Sequence, residues 1–152
     1  MSDELKIYEE GGAVAATCDL PPMSEECVAS VRELEAVVKQ MPQLKIATEH
    51  VFHAGLYGRT ILMPEGTVLV GVQIQIPTVL IIAGDCEMIG DEGPVRFAGY
   101  HVTRGQAGRK AGFFAIKDTW LTMLFATDAK TVEEAENQFT NEPDNLGSRR
   151  FA

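Results

Sequence analysis

The sequence predicts a mainly β protein, built as a sandwich or closed barrel, with one N-terminal helix and a short C-terminal helix beside it. Two observations carry this expectation. From Gln43 onward the chain falls into eight or nine short runs rich in Val, Ile, Thr, Phe and Tyr, the residues that suit a pleated surface. Turn residues punctuate those runs at spacings typical of all-β folds rather than βαβ units.

The elements follow in order. Residues 1–22, with Gly11-Gly12 and the alanine-rich stretch 13–16, show no clear period and read as an arm that is disordered or packed on a partner. Pro21-Pro22 stops the chain, and Ser24 is placed to cap a helix running to about Met41. Val28, Val31, Leu34, Val38 and Met41 recur at three- and four-residue spacing and give that helix one apolar stripe. Glu25 and Glu26 in its first turn and Lys39 in its last suit the helix dipole, and Pro42 ends it.

The expected strands are Leu44–Ala47, Gly55–Met63, Thr67–Ile76, Thr78–Ala83, Asp85–Ile89, Pro94–Phe97, Tyr100–Thr103, Arg109–Ile116 and Thr119–Thr127. Pro64-Glu65-Gly66 and the Gly90–Gly93 cluster supply tight turns, and Gly105 and Gly108 mark a further loop. Thr131 with Glu134 forms a capping box for the second helix, on which Val132, Ala135 and Phe139 share a face. The polar residues 141–152 read as a flexible or partner-docked tail, so the single domain spans 23–140.

Composition narrows the function. A formal charge of −9 argues against nucleic-acid binding, which relies on cations neutralising phosphates. The acidity is concentrated: residues 1–49 hold ten acidic and four basic side chains. No stretch approaches the roughly 18–20 apolar residues of a membrane span, and the acidic start lacks a signal-peptide pattern. Cys18, Cys27 and Cys86 fit neither a zinc nor a disulfide spacing and read as free thiols. No Gly-x-Ser-x-Gly, phosphate loop or dinucleotide fingerprint is present.

Several motifs then carry a resemblance. Met63-Pro64-Glu65-Gly66-Thr67, followed by Val70-Gly71, resembles the turn and strand of the cupins, which are jelly-roll (double-stranded β-helix) barrels. Pro42-Gln43 after the helix, then Glu49, His50, Phe52, Gly55, Tyr57 and Arg59, are similar to segments of small cupin-like proteins of bacteriophages and prophages. Asp118-Thr119-Trp120-Leu121-Thr122 before an acidic helix extends the likeness over about residues 25–140. The resemblance implies a cupin-like jelly roll and, in metal-binding members, His-x-His, a Glu and a later His projecting into the barrel. In this chain Gln73 and Gln75 take the first two positions, Val79 or Leu80 the third, and Ala111 the last. Amide oxygens are poor ligands for transition metals, so neither metal nor other cofactor is expected.

The remaining candidates are polar contacts for a ligand or partner. Gln73 and Gln75 share a strand face by alternation; if that face lines the barrel, their amides can bind a small polar ligand. His50, His53 and His101 are the histidines; the resemblance implies that His50 lies beside the barrel mouth, and Tyr57 and Arg59, alternating on one strand, are expected near the same opening. Arg96, Arg104, Arg109 and Lys110 form the local basic density, read as a solvated or intersubunit face, with an anion site as the alternative. The missing metal ligands and the apolar stripes and arms point to a non-enzymatic, homo-oligomeric structural or interaction protein, and the resemblance implies one of phage type, in the virion or host cytoplasm, meeting other phage structural proteins. The alternative is a metal-free enzyme or a binder of a sugar or organic acid.

Overall fold

The structure, a computed structural model, describes residues 18–21 and 23–150. The expected arm over 1–22 lies almost wholly outside them. Its described end forms β1 (Cys18–Asp19), parallel to β6, and sends Leu20 into the core.

Helix α1 (Glu25–Val38) begins where Ser24 accepts a hydrogen bond from the Cys27 amide. Asp91 fixes this end by accepting from both the amide and the hydroxyl of Ser24. Cys27 and Val31 are buried, and the helix packs on β4 and β7. It stops three residues short of Met41, which is exposed. The Gln43 side chain accounts for that end, since its amide donates to the Val38 and Met41 carbonyls.

Seven strands follow: β2 (Thr48–His53), β3 (Leu56–Met63), β4 (Val68–Ile74), β5 (Thr78–Gly90), β6 (Gly93–Gly105), β7 (Arg109–Ala115) and β8 (Thr119–Ala126). Residues 44–47 are not a strand; the pairing partner of β3 is the next stretch, β2. Two further differences share one cause. The expected breaks at Gly84 and near Gly99 are bends inside two long strands, not turns between short ones. Gly84 stands opposite Gly99 in an unbroken β5–β6 ladder, with φ of +150° and +93°. A Cβ on Gly84 would sit 2.5 Å from the Asp118 carbonyl oxygen, so only glycine allows the strand to fold over there.

That bend makes the architecture. Before it, Val79–Ala83 of β5 pairs with β8, giving the order β2-β3-β8-β5-β6. Beyond it, Cys86–Met88 pairs with β7, which in turn pairs with β4. The long β5–β6 hairpin therefore runs through both layers of a cupin-like jelly roll, a mainly β barrel with flanking helices. Ile82, Cys86, Met88, Phe97, Leu121 and Phe125 fill the space between the layers.

Helix α2 (Val132–Phe139) is capped by Thr131, whose hydroxyl accepts from the Glu134 amide. The tail does not hang free. It turns through a 3-10 segment, Pro143–Asn145, and ends in α3 (Gly147–Arg150), with Leu146 inserted into the core. Burying the Leu146 side chain contributes about 1.5–3 kcal/mol, and the bonds that Lys110 and Arg32 donate to Glu142 and that Ser148 and Arg149 donate to Glu136 add to the tail's hold on the barrel. Among the described residues no helix is long and apolar enough to cross a membrane.

Candidate functional site

Between the two layers lies a cavity of about 190 Å³. Its walls are largely aliphatic and aromatic: Ile61, Leu80, Phe113, Leu121 and Met123 from the strands, Phe139 from α2 and Leu146 from the tail. Two threonines, Thr48 and Thr78, and two arginines, Arg59 and Arg109, are its polar members among the strand residues that line it.

Strand β4 enters this cavity in an unexpected register. Residues Val68 to Val70 pair regularly with β7, but Gln73 then pairs with Lys110, so β4 carries one extra residue. Such a bulge exchanges inward and outward positions beyond it. Leu69 packs against the core before the bulge, and Val72 and Ile74 line the cavity after it. Gln73 is thereby turned outward. Its amide donates to the Gly108 carbonyl at 3.1 Å, its carbonyl accepts from Arg32 at 3.0 Å, and its backbone N–H donates to Glu142. Gln75 is exposed past the strand end, its backbone N–H donating to Phe139. The glutamines therefore do not line the barrel.

This correction bears on the metal that cupins suggest. The inward positions of this barrel are Val72, Ile74, Leu80 and Ala111, and all four line the cavity. None offers a donor atom, so the residues present do not fit a cupin-type metal. Nor do the described residues contain any group of three or more His, Cys, Asp or Glu side chains able to hold one.

Arg109 has the most unusual surroundings. It is 6% exposed, its Nε donates to the Gln106 carbonyl and its Nη2 to the Thr78 hydroxyl, each at 2.8 Å. Both acceptors are neutral, and among the described residues no carboxylate forms an ion pair with it. Burial alone pulls its pKa down from the usual arginine value. Room for the guanidinium comes from Gly105: a Cβ there would lie 2.1 Å from Nη2.

Arg59, by contrast, has a counter-charge. It approaches Glu136 at 3.4 Å and lies over the Phe139 ring at 5.2 Å. Glu136 is itself buried and also accepts from Arg149 and Ser148. Burial raises its pKa, but those hydrogen bonds and the charges of Arg59 and Arg149 outweigh it, leaving a net lowering. Beside this network the buried Tyr57 hydroxyl meets His50 Nδ1 at 2.6 Å. Burial and then the Arg59 charge hold the His50 pKa below its ordinary value, while burial pushes the Tyr57 pKa up.

The other candidates lie elsewhere. His53 is exposed at the end of β2, and His101 bonds the Ala98 carbonyl, so the three histidines do not converge. The basic density is not a common face. Arg96 pairs with Asp85 through two bonds and Arg104 with Asp19, while Arg109 and Lys110, as strand neighbours, point to opposite sides of β7. Lys110 is fully buried outside the cavity, donating to Glu35, Glu142 and the Gly71 carbonyl at 2.9 Å each. Burial raises the Glu142 pKa, but bonds from Lys110, Arg32 and the Gln73 amide bring it below the ordinary value. Thr78, Gly105, Glu136 and Leu146 escaped the sequence reading. A glycine four residues before an arginine, or one glutamate within an acidic helix, gives no separate signal.

The chain matches no protein-family model and, at a significant level, no curated protein. Among solved structures it is similar to an RmlC-like cupin protein from Desulfovibrio desulfuricans, at 17% identity and a TM-score of 0.45 over 54% of this chain and 82% of that one. A cupin-2 domain protein from Shewanella frigidimarina aligns at 6% identity and a TM-score of 0.44, over 61% and 91% of the two chains. An RmlC-like cupin family protein from Methanocaldococcus jannaschii, with a double-stranded β-helix fold, gives 15%, 0.44, 57% and 85%.

Proposed function

We propose that this protein binds a small organic molecule inside the barrel, without a metal. The observation that carries the reading is the cavity of about 190 Å³, apolar over most of its wall and holding a few fixed polar groups. Ligand sites combine those two properties, one for affinity and one for orientation. Drug-sized ligands occupy about 300–1,000 Å³, whereas an apolar cavity of about 150 Å³ accepts benzene, so the occupant is a single ring or its equivalent. Thermal shift and NMR titration against single-ring compounds, neutral and charged, test the proposal. Wild-type protein should be stabilised by members of the set, and Ala111→Phe, which fills the cavity from β7, should not. Absence of stabilisation across the set at millimolar concentration, or equal stabilisation of the filled variant, would refute it.

A second reading, an oligomeric structural component of phage or prophage type, draws on the outer face of the barrel. Leu62, Trp120, Ala83 and Tyr100 stand in one lateral row across β3, β8, β5 and β6, with Trp120 48% and Tyr100 69% exposed. The next row, Thr60, Thr122, Ile81 and Val102, is also uncharged, with Glu49 of β2 beside Thr60 at its edge. In a chain of charge −9, two neighbouring uncharged rows across four strands are where a second copy can approach with least repulsion. Sedimentation of wild type and Trp120→Glu checks this: a wild-type monomer at micromolar concentration rules it out.

A further inference from the structure

We infer that the ligand is a monocarboxylate carried on a single ring, with its carboxylate on Arg109 and its ring among Leu80, Phe113, Leu121 and Met123. This rests on the cavity being a ligand site and names the chemical class of its occupant.

The first step concerns charge. The guanidinium of a residue only 6% exposed, with only neutral acceptors, is an unbalanced cation in an apolar setting. Buried charges are ordinarily paired, because removal from water is costly. Lys110, the next residue, shows the ordinary solution: two carboxylates hold it. Arg59, the other cavity arginine, has Glu136. Among the described residues Arg109 alone of these three has no acid, and the cavity it lines is the space from which one can come.

The second step concerns geometry. Arginine carries five N–H groups in a planar fork, and Gln106 and Thr78 take one each, leaving three. The two bonds and the bare Cα of Gly105 fix the plane of the fork before any ligand arrives. A carboxylate fits such a fork with two parallel bonds. Thr78, which accepts from Nη2, retains its own hydroxyl hydrogen for a further bond to the anion.

The third step sets the net charge and size of the ligand. One unbalanced positive charge is neutralised by one negative charge, and a doubly charged phosphate would leave a residual anion against apolar walls. The volume left beside the carboxylate is that of one ring, as argued above. A sugar is disfavoured, because the wall offers too few polar groups to satisfy its hydroxyls.

Isothermal titration of the full-length protein with benzoate, cyclohexanecarboxylate, benzamide and benzyl alcohol tests the assignment, with chloride and phosphate as separate titrants. The carboxylates should bind about ten- to a hundredfold more tightly than benzamide, as expected for a charge-assisted pair. Arg109→Met should abolish that preference while still taking benzyl alcohol. Arg109→Lys should keep part of it. Equal affinity for benzoate and benzamide in the wild type overturns the assignment by itself, whether or not the Arg109 variants fold. So does chloride or phosphate binding as tightly as benzoate, or an Arg109→Met variant that keeps the preference. Failure of every ring compound overturns the cavity reading as well, whereas binding without charge preference overturns only this inference.

Discussion

The guanidinium of Arg109 lies directly on the bare Cα of Gly105, so closely that a β-carbon there would stand 2.1 Å from Nη2. This contact makes Gly105 a determinant of where the cavity cation sits. Gly105→Ala should displace Arg109 and destabilise the barrel by about 1–3 kcal/mol, the usual cost of overpacking. Combining it with Arg109→Ala should recover much of that loss, because the methyl then has space. Urea unfolding of the four proteins of this cycle measures the coupling; additive effects would show that the two residues do not share the space.

Lys110 joins three separate parts of the molecule: Glu35 on α1, the Gly71 carbonyl on β4 and Glu142 at the start of the tail. Its side chain is fully buried and both carboxylates are only slightly exposed. Lys110→Met preserves length but leaves Glu35 without the cation that pairs it and Glu142 with Arg32 alone. A loss of about 3 kcal/mol is expected in denaturant unfolding, in the range for breaking a buried pair. Adding Glu142→Gln should restore part of it. A Lys110→Met protein as stable as wild type would mean that the clamp contributes nothing net.

Stability should fall with acid in two stages. The His50 pKa is lowered from 6.5 in the fold, so below pH 6.5 the unfolded chain takes a proton that the native state resists. Its contribution is complete above pH 6.5 and is lost as pH falls toward the native pKa. Glu136 and Glu142 are lowered from 4.5, so their contribution is complete above pH 4.5 and is lost below it as the native carboxylates protonate. Urea midpoints from pH 8 to pH 3 should show an upper decline that His50→Gln removes and a lower one that it leaves. An identical profile in the variant would locate the upper decline elsewhere.

What could be read from the sequence divides along the range of the interactions. Ser24 and Thr131 announce their helices because a cap and its partner lie within three residues of each other. His50, Tyr57 and Arg59 form one neighbourhood because β2 and β3 are a hairpin in which His50 pairs with Arg59 across the ladder. Gly84 misled because a glycine in a bend and a glycine in a turn look alike locally; only its pairing with Gly99 distinguishes them. Arg109 and Lys110 misled for the opposite reason. Adjacent cations suggest one patch, yet neighbours on a strand face opposite ways, one into the cavity and one under α1. The tail looked polar and loose, yet Leu146 enters the core while Glu142, Ser148 and Arg149 bond residues far from them in the chain.

The bulge in β4 gives the sharpest test of the site, because it decides which of two alternating sets faces inward. With one extra residue between Val70 and Gln73, Val72 and Ile74 share the cavity with Ala111 of β7, while Gln73 bonds Arg32 and Gly108 outside. Replacing Val72, Ile74 and Ala111 by histidine should therefore bring three imidazoles into one space, a donor set suited to Zn²⁺ or Ni²⁺. Replacing Gln73, Gln75 and Ala111 should place two of them outside. At a metal concentration about a hundredfold above Kd, the first triple variant should gain about 2.7 kcal/mol of stability. The second should gain much less. Equal metal stabilisation of both variants, or a larger gain in the second, would show that Gln73 and Gln75 face the barrel after all and would remove the physical ground for reading the interior as a metal-free ligand cavity.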